Sequence, residues 1–546
     1  MRRKLLCALM LVLGAILLCR LPMLAQGTSP SQPVVGNAVK FAVSAPVREI
    51  AKLPQPAQYG FHEANPVHHI PMKDFGHAVD PVEQSTAGPA ANYSIGLNFL
   101  GVGNGFPGYS VPDAPPDTNM AVGDTQIVQW VNVSYAVFDK ATGTALTPAI
   151  QGNQLFKNLG GNCFAYNSGD IIAQWDVMAH RWLLTQNTFS GSPYYSCVAI
   201  STSPDALGTY YLYAFSLGSS FPDYPKWGVW PTGYFETVNK FGAIAEICAF
   251  NRTKMLAGDP SAESVCLSLS GSDNSLLPAD VDSPTAPPGS EDEFFIGGVN
   301  AVDNSHLSLY SMHVDWSNPG GATITGSGNS QLIAVATYTA ACNYPSACVP
   351  QLGTTALLDS LGDRLMYRFA YWEDQPLVNV LATPPKPAPA QHWLVNHSVL
   401  ASNGNAAVRW YEFKAQIKSV PVTSLSVFQQ GTYAPDSTWR WMGSIAKDKV
   451  GDILVGYSTS SSTMYPGIAI AGRTINDALG TLESEVPVVN GTGSQPDTSN
   501  RWGDYSSMRI DPTDKCTFWY TTEYYMVTQQ FDWSTQIASA KFANCN

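Results

Sequence analysis

Ser444-Ile445-Ala446-Lys447-Asp448 follows closely on the pair Arg440-Trp441, and Ser507-Met508-Arg509-Ile510-Asp511 follows Arg501-Trp502 in the same way. In both places a polar knot runs into a short apolar segment. Across the chain the knots are Pro116-Asp117-Thr118, Ser168-Gly169-Asp170, Asp223-Tyr224-Pro225-Lys226, the region Asp280 to Glu293, Gly362-Asp363-Arg364, Trp439-Arg440-Trp441 and Asn500-Arg501-Trp502-Gly503-Asp504. Each interval is long enough for four short strands and their turns. Repetition of that length predicts an all-β fold, a β-propeller of four-stranded antiparallel blades, with seven blades and six as the alternative count. A pair of β-sandwiches is the competing architecture, but it gives no reason for charged knots at the start of every unit.

The segments between knots read as strands. Ile127-Val128-Gln129-Trp130-Val131-Asn132-Val133, Leu307-Ser308-Leu309-Tyr310-Ser311-Met312-His313-Val314 and Val408-Arg409-Trp410-Tyr411-Glu412-Phe413 alternate with aromatic and branched residues, the period-two signal of a strand. Helical periodicity is interrupted almost everywhere by the 45 Gly and 39 Pro, which mark turns.

Composition sets the compartment. Residues 1–26 have a basic start (Arg2, Arg3, Lys4), an apolar stretch Leu5 to Cys19 and a cleavage zone at Leu24-Ala25-Gln26; they are expected to be a signal peptide. The apolar run is too short for a confident membrane span, and none follows it. The chain is therefore expected to be secreted, extracellular or periplasmic, and monomeric. Of the 10 cysteines, Cys7 and Cys19 leave with the signal. The rest are expected as disulfides, paired by proximity as Cys163–Cys197, Cys248–Cys266, Cys342–Cys348 and Cys516–Cys545. With 29 Lys+Arg against 42 Asp+Glu, a net charge of −13 excludes nonspecific nucleic-acid or anionic-membrane binding. Residues 27–95, rich in Pro, Ala and Ser and carrying His62, His68, His69 and His77, are expected to be a linker or pro-segment. Residues 96–546 are expected to form one propeller domain.

Ser203-Pro204-Asp205-Ala206-Leu207-Gly208-Thr209-Tyr210 resembles the Asp-box of sialidase-like propellers, with an extra residue between Asp and Gly and Tyr in place of Trp; Asp477-Ala478-Leu479-Gly480-Thr481 is a second partial copy. The resemblance implies that the Asp ties a turn between the outer strands of a blade, a structural role. The run from Arg501-Trp502-Gly503-Asp504-Tyr505 to Cys516-Thr517-Phe518-Trp519-Tyr520 resembles large secreted bacterial propeller proteins, from which no catalytic assignment carries over. Sialidase-like enzymes hold a substrate carboxylate with three arginines and use a Tyr nucleophile, a Glu and an acidic proton shuttle. Arg364, Arg440 and Arg501 are the corresponding candidates here. The family's N-terminal Arg-Ile-Pro element is absent, and Glu523-Tyr524 and Tyr411-Glu412 are only neighbours in sequence that could serve as the Tyr/Glu pair.

In a propeller the start of each innermost strand lies at one mouth of the central channel, so the knots are expected to meet there. Asp117, Asp170, Asp504 and Tyr505 are the catalytic candidates, since clustered carboxyls push their pKa values apart and supply acid and base. Arg364, Arg440, Arg501, Asp223, Lys226 and Asp363 are the substrate-binding candidates, arginine forks being suited to carboxylates. The expected partner is a polysaccharide or glycoconjugate, acted on as by a glycoside hydrolase or lyase; a noncatalytic carbohydrate- or protein-binding adhesion propeller is the alternative. No cofactor is expected. Ca²⁺ could be held by Asp280, Asp282, Glu291, Asp292 and Glu293, though they lack an EF-hand pattern. No H-E-x-x-H, G-x-S-x-G or phosphate-loop motif occurs. For each knot residue taken alone, a turn-capping or packing role is the plain alternative.

Overall fold

The computed structural model describes residues 32–55, 62–63, 69–70, 72–240, 244–269, 273–287, 289, 291–299, 301–326, 331–343, 347–374, 390–416 and 424–546. The expected signal peptide, His68 and the side chain of His62 lie outside them. The described chain is all-β, built from consecutive antiparallel sheets that follow the knots. The first holds Asn119–Val122, Gln126–Val131, Ser134–Asp139 and Ile150–Gln151; the second Ile172–Asp176, Arg181–Asn187, Tyr194–Ser201 and Tyr210–Gly218. Pro222–Trp230, Gly233–Lys240, Ile244–Phe250 and Glu263–Ser268 make the third. Leu277–Val281, Glu293–Gly297 and His306–His313, with two short edge pieces, make the fourth. The fifth contains Leu365–Glu373, Ala390–Leu400, Ala406–Gln416 and Ser426–Tyr433, and the sixth Trp439–Lys447, Ile453–Ser461, Met464–Arg473 and Val486–Val489. The last contains Ser507–Ile510, Thr517–Tyr524 and Ser534–Phe542, and its fourth strand is Tyr93–Leu100, from the other end of the chain.

The leading strands of the sheets stand side by side in chain order, and the last of them stands beside the first. The fourth and fifth are even hydrogen-bonded, Ala279–Val281 running parallel to Phe369–Tyr371. The apolar core lies between successive sheets. Trp230, Tyr371, Trp393 and Phe294 pack edge to face with centroids 4.9–5.5 Å apart. Trp130, Trp182, Trp227, Trp410, Trp441, Trp502 and Trp533 are also buried, so these rings fill the core rather than stack on ligand sugars.

All four expected cysteine pairs are disulfides. Cys248 and Cys266 sit directly opposite on paired strands; Cys516–Cys545 clamps the C-terminus to the last sheet. No helix among the described residues is long and apolar enough to cross a membrane. The stretch read as a linker is instead attached at several points. Lys40–Val43 extends the second sheet and Val34–Asn37 the third, and Glu83–Gln84 pairs with the fifth. These pieces are too short to show periodicity, and only the partner edge reveals them as strands.

Candidate functional site

The knots turn where their backbone is left-handed. Asp117 (φ 42°), Asp170 (45°), Tyr224 (54°), Ser275 (51°) and Met442 (54°) all stand at or near the head of a leading strand. A side chain in that region costs on the order of 1 kcal/mol or more. Its recurrence identifies one turn used repeatedly, with bulges at Asp223/Lys226 and Trp441/Ser444 where the strand continues through it.

These turns gather Asp117, Asp170, Lys226, Asp363, Arg364, Arg501, Asp504 and Tyr505 into one buried group. The Asp504 N–H donates to Asp117 Oδ1 at 2.8 Å. Arg501 Nη1 donates to Asp504 Oδ1 at 2.8 Å. Arg364 grips its neighbour Asp363 with Nε at 2.7 Å and Nη2 at 3.0 Å, and lies 4.6 Å from the Tyr224 ring centroid. Lys226 Nζ donates to the Pro225 carbonyl at 2.9 Å and sits 3.4 Å and 4.2 Å from the ring centroids of Tyr224 and Tyr505. The Tyr505 hydroxyl donates to the Ile171 carbonyl at 2.9 Å. At the edge of the group, the Ile70 N–H donates to Asp363 Oδ2 at 2.9 Å and His69 faces Asp359 at 3.5 Å.

The electrostatics split the carboxyls. Burial, then the charges of Asp504 and Asp170, hold Asp117 well above the usual carboxylate range. Burial opposes ionisation of Asp504 too, but Arg501, Arg364 and Lys226 bring it below that range. Burial likewise raises Glu523 well above its ordinary value, with Asp117 adding to the effect. Lys226 is pushed down to about 8 by burial, against the attraction of Asp170, Asp504 and Asp117. The group can therefore present a protonated carboxyl beside an ionised one, which general acid–base chemistry requires.

One expectation changes. Arg440 does not join the group. It lies before the bulge of its strand and is taken up near its own sheet, by both carboxylate oxygens of Glu485 at 2.9 and 2.8 Å, by the Thr438 carbonyl at 2.9 Å and by Asp436. Its kinship with Arg501-Trp502 is local only. Asp223 stands one residue before the Tyr224 turn, opposite Asn239 in the sheet.

No three of the acids proposed for Ca²⁺ come close enough to share an ion. Asp280 accepts from Arg368 Nε at 3.1 Å and pairs with Arg509, while Asp282 pairs with Arg368. Asp292 pairs with His313 at 2.8 Å and Glu291 accepts from Gln391 at 3.0 Å. Among the described residues, the one group of His, Cys, Asp and Glu close enough to share an ion is Glu246, Cys248 and Cys266, and its cysteines form a disulfide. Arg509 also donates to the carbonyls of Met120 at 2.9 Å and Ala173 at 3.0 Å, and Asp280 Oδ1 accepts the Val229 N–H at 3.3 Å. This second charged group thus ties the leading strands of six sheets together.

Sequence reasoning left Tyr224 as part of a knot without a role and Glu523 only as half of a Tyr/Glu pair. Glu523 occupies a buried strand position after Thr521 and Thr522, and that polar run inside a buried strand was the available signal. Of the candidate Tyr/Glu neighbours, Tyr411 contacts His397, and Glu412 binds Gln429 and Lys447. Both Asp-box-like segments lie between the third and fourth strands of their sheets. Asp205 accepts the Leu207 N–H at 3.0 Å and Asp477 the Thr474 N–H at 2.6 Å, the turn-tying role expected of them.

No family model matches the chain, and no curated protein matches it. Among solved structures it is similar to Drosophila Plexin A in complex with Semaphorin 1b (6% identity, 85% of this chain and 89% of that one, TM-score 0.30). Drosophila Semaphorin 1b extracellular domains 1–2 match at 7% identity over 85% and 88%, TM-score 0.32. An exo-β-1,3-galactanase from Clostridium thermocellum matches at 9% over 71% and 78%, TM-score 0.29. Likenesses this distant assign no function.

Proposed function

We propose that the chain is a secreted, monomeric seven-bladed β-propeller that hydrolyses an extracellular glycan at the buried Asp117 group. The cyclic order of the leading strands and the completion of the last sheet by Tyr93–Leu100 support the propeller. The observation that carries the activity is the pair Asp117 and Asp504, joined through one hydrogen bond yet titrating in opposite directions. In hydrolysis, protonated Asp117 gives its proton to the leaving glycosidic oxygen while ionised Asp504 takes one from the attacking water. Arg364 and Arg501 are committed to Asp363 and Asp504, so a neutral glycan fits this site better than an acidic one. Lys226, flanked by two phenol rings, supports the ionised base rather than a ligand anion.

A second function, a noncatalytic extracellular binding propeller, draws on the same arginines: with their forks engaged and the group buried, the charges also suit a purely architectural role. A screen of neutral polysaccharides and aryl glycosides separates the two. Hydrolysis by the wild type, lost in Asp117→Asn and in Asp504→Asn but kept in Arg440→Ala, is the expected outcome; glycan binding without turnover selects the binding module.

A further inference from the structure

The Asp117 group is buried, with Asp117 1% and Lys226 0% exposed, so a polymer cannot reach it as it stands. The N-terminal stretch lies on its rim. His62–Glu63 runs parallel to Asp113–Ala114, just ahead of Asp117. The Ile70 N–H then donates to Asp363, and His69 lies 3.5 Å from Asp359 and 3.8 Å from Asp363, the carboxylate that Arg364 grips. Farther on the chain is fixed again. Asp80 takes Arg409 and the Thr432 hydroxyl, both at 2.6 Å, and Glu83–Gln84 joins the fifth sheet. Between these two ties, residues 73–77 are exposed throughout and outside every strand. Phe75 is 39% exposed, and a side chain at Gly76 would meet nothing within 4 Å. A cavity of about 420 Å³ separates the stretch from Asn304, Tyr338 and Thr339, and the next bonds to the sheets, Ala78 to Thr339 and Val79 to Thr337, come after it. Exposed tips that are not packed down are where proteases cut, because the chain must leave its neighbours to enter a protease cleft.

We infer that residues 73–77 are a processing site, cut after Phe75 by an endoprotease that prefers aromatic residues, and that the cut opens the Asp117 group. Water adds across the Phe75–Gly76 peptide bond as its C–N bond breaks: Phe75 keeps the oxygen in a new carboxylate, and Gly76 leaves as an amine. His69 and Ile70, held until then from both sides, are left near a free chain end. Loss of the second tether weakens their hold on Asp359 and Asp363. The use made of the opened group rests on the hydrolase proposed above; the opening itself does not.

Brief treatment of the full chain with chymotrypsin tests this. Mass spectrometry locates the cut, acetic anhydride labels Lys226 where it is reachable, and turnover is read on neutral glycans. The first cut is expected after Phe75, with Lys226 labelled about 100-fold faster, the low end of what a second tether contributes, and turnover raised with it. Phe75→Ala is expected to resist the cut and to keep Lys226 protected. Ile70→Pro, which lacks the N–H that binds Asp363, is expected to label faster without being cut. A first cut elsewhere with the Phe75–Gly76 bond intact overturns the inference. So does unchanged labelling of Lys226, in the cut chain or in Ile70→Pro. Faster labelling with no turnover of any glycan keeps the processing site and overturns the hydrolase.

Discussion

The protein buries two groups of charge along its leading strands, and they are wired differently. Around Arg509, guanidinium nitrogens reach strand carbonyls and a carboxylate on other sheets, so each bond joins separate parts of the chain. Around Asp117, the arginines are spent on near neighbours, Arg364 on the preceding residue and Arg501 three residues on. What spans the sheets there is the Asp504 N–H donating to the Asp117 carboxyl, whose pKa burial raises. Saturated, long-range pairing is what a scaffold needs. Local pairing beside an excess of acid leaves protons free to move, at some cost in stability.

This contrast can be broken most directly at Arg509. Arg509→Leu leaves Asp280 with Arg368 as its remaining cation and takes the side-chain donor from the carbonyls of Met120 and Ala173, and removing one partner of a buried pair typically costs about 3–5 kcal/mol. The variant is expected to lose most of its cooperative thermal transition, and a wild-type Tm would erase the distinction. Asp117→Asn is expected to do the reverse. Turnover should fall on the order of 10²–10⁴-fold, the usual share of a positioned acid, while the Tm is equal to or above that of the wild type, since an amide replaces a carboxyl whose ionisation burial disfavours.

Arg440→Ala sharpens the boundary of the site. Its bonds to Glu485 and Thr438 are structural, so calorimetry should register a loss of roughly 1–3 kcal/mol, with turnover within about twofold. A greater loss of turnover at unchanged stability would return Arg440 to the site. The smallest effect concerns Asp448, whose pKa burial, and then Asp452, raise to about 7. The folded chain keeps a proton that the unfolded chain releases near pH 4, so this group's contribution to stability declines as pH rises from about 4 through 7. Asp448→Asn keeps an oxygen for the N–H groups of Val450, Gly451 and Asp452 and should flatten that decline in a series of melts.

Much of this was legible in the sequence because it is repeated. One knot is ambiguous, but several at the same place in successive units identify the strand heads, and most of the named residues do meet. The cysteines pair with their sequence neighbours because each bridge lies within one sheet or its loops. Arg440 misled because Arg-Trp is a local pattern, whereas the position of a bulge decides where its side chain goes. Glu523 was hard to place because a glutamate in an alternating strand reads as solvent-facing until both faces are known to be covered. The N-terminal strands were hidden for the opposite reason: their partners lie far along the chain, Lys40 opposite Ala214 and Tyr93 opposite Phe542, and no short window contains both.

The pairing of Tyr93–Leu100 with Ser534–Phe542 also orders events in time. A ribosome delivers the first of these strands long before its partner, so the earlier segment must wait, unpaired, while all the intervening sheets are made. Such sequence-distant pairing makes for slow folding, because the loop-closure entropy is lost before the contact that offsets it forms.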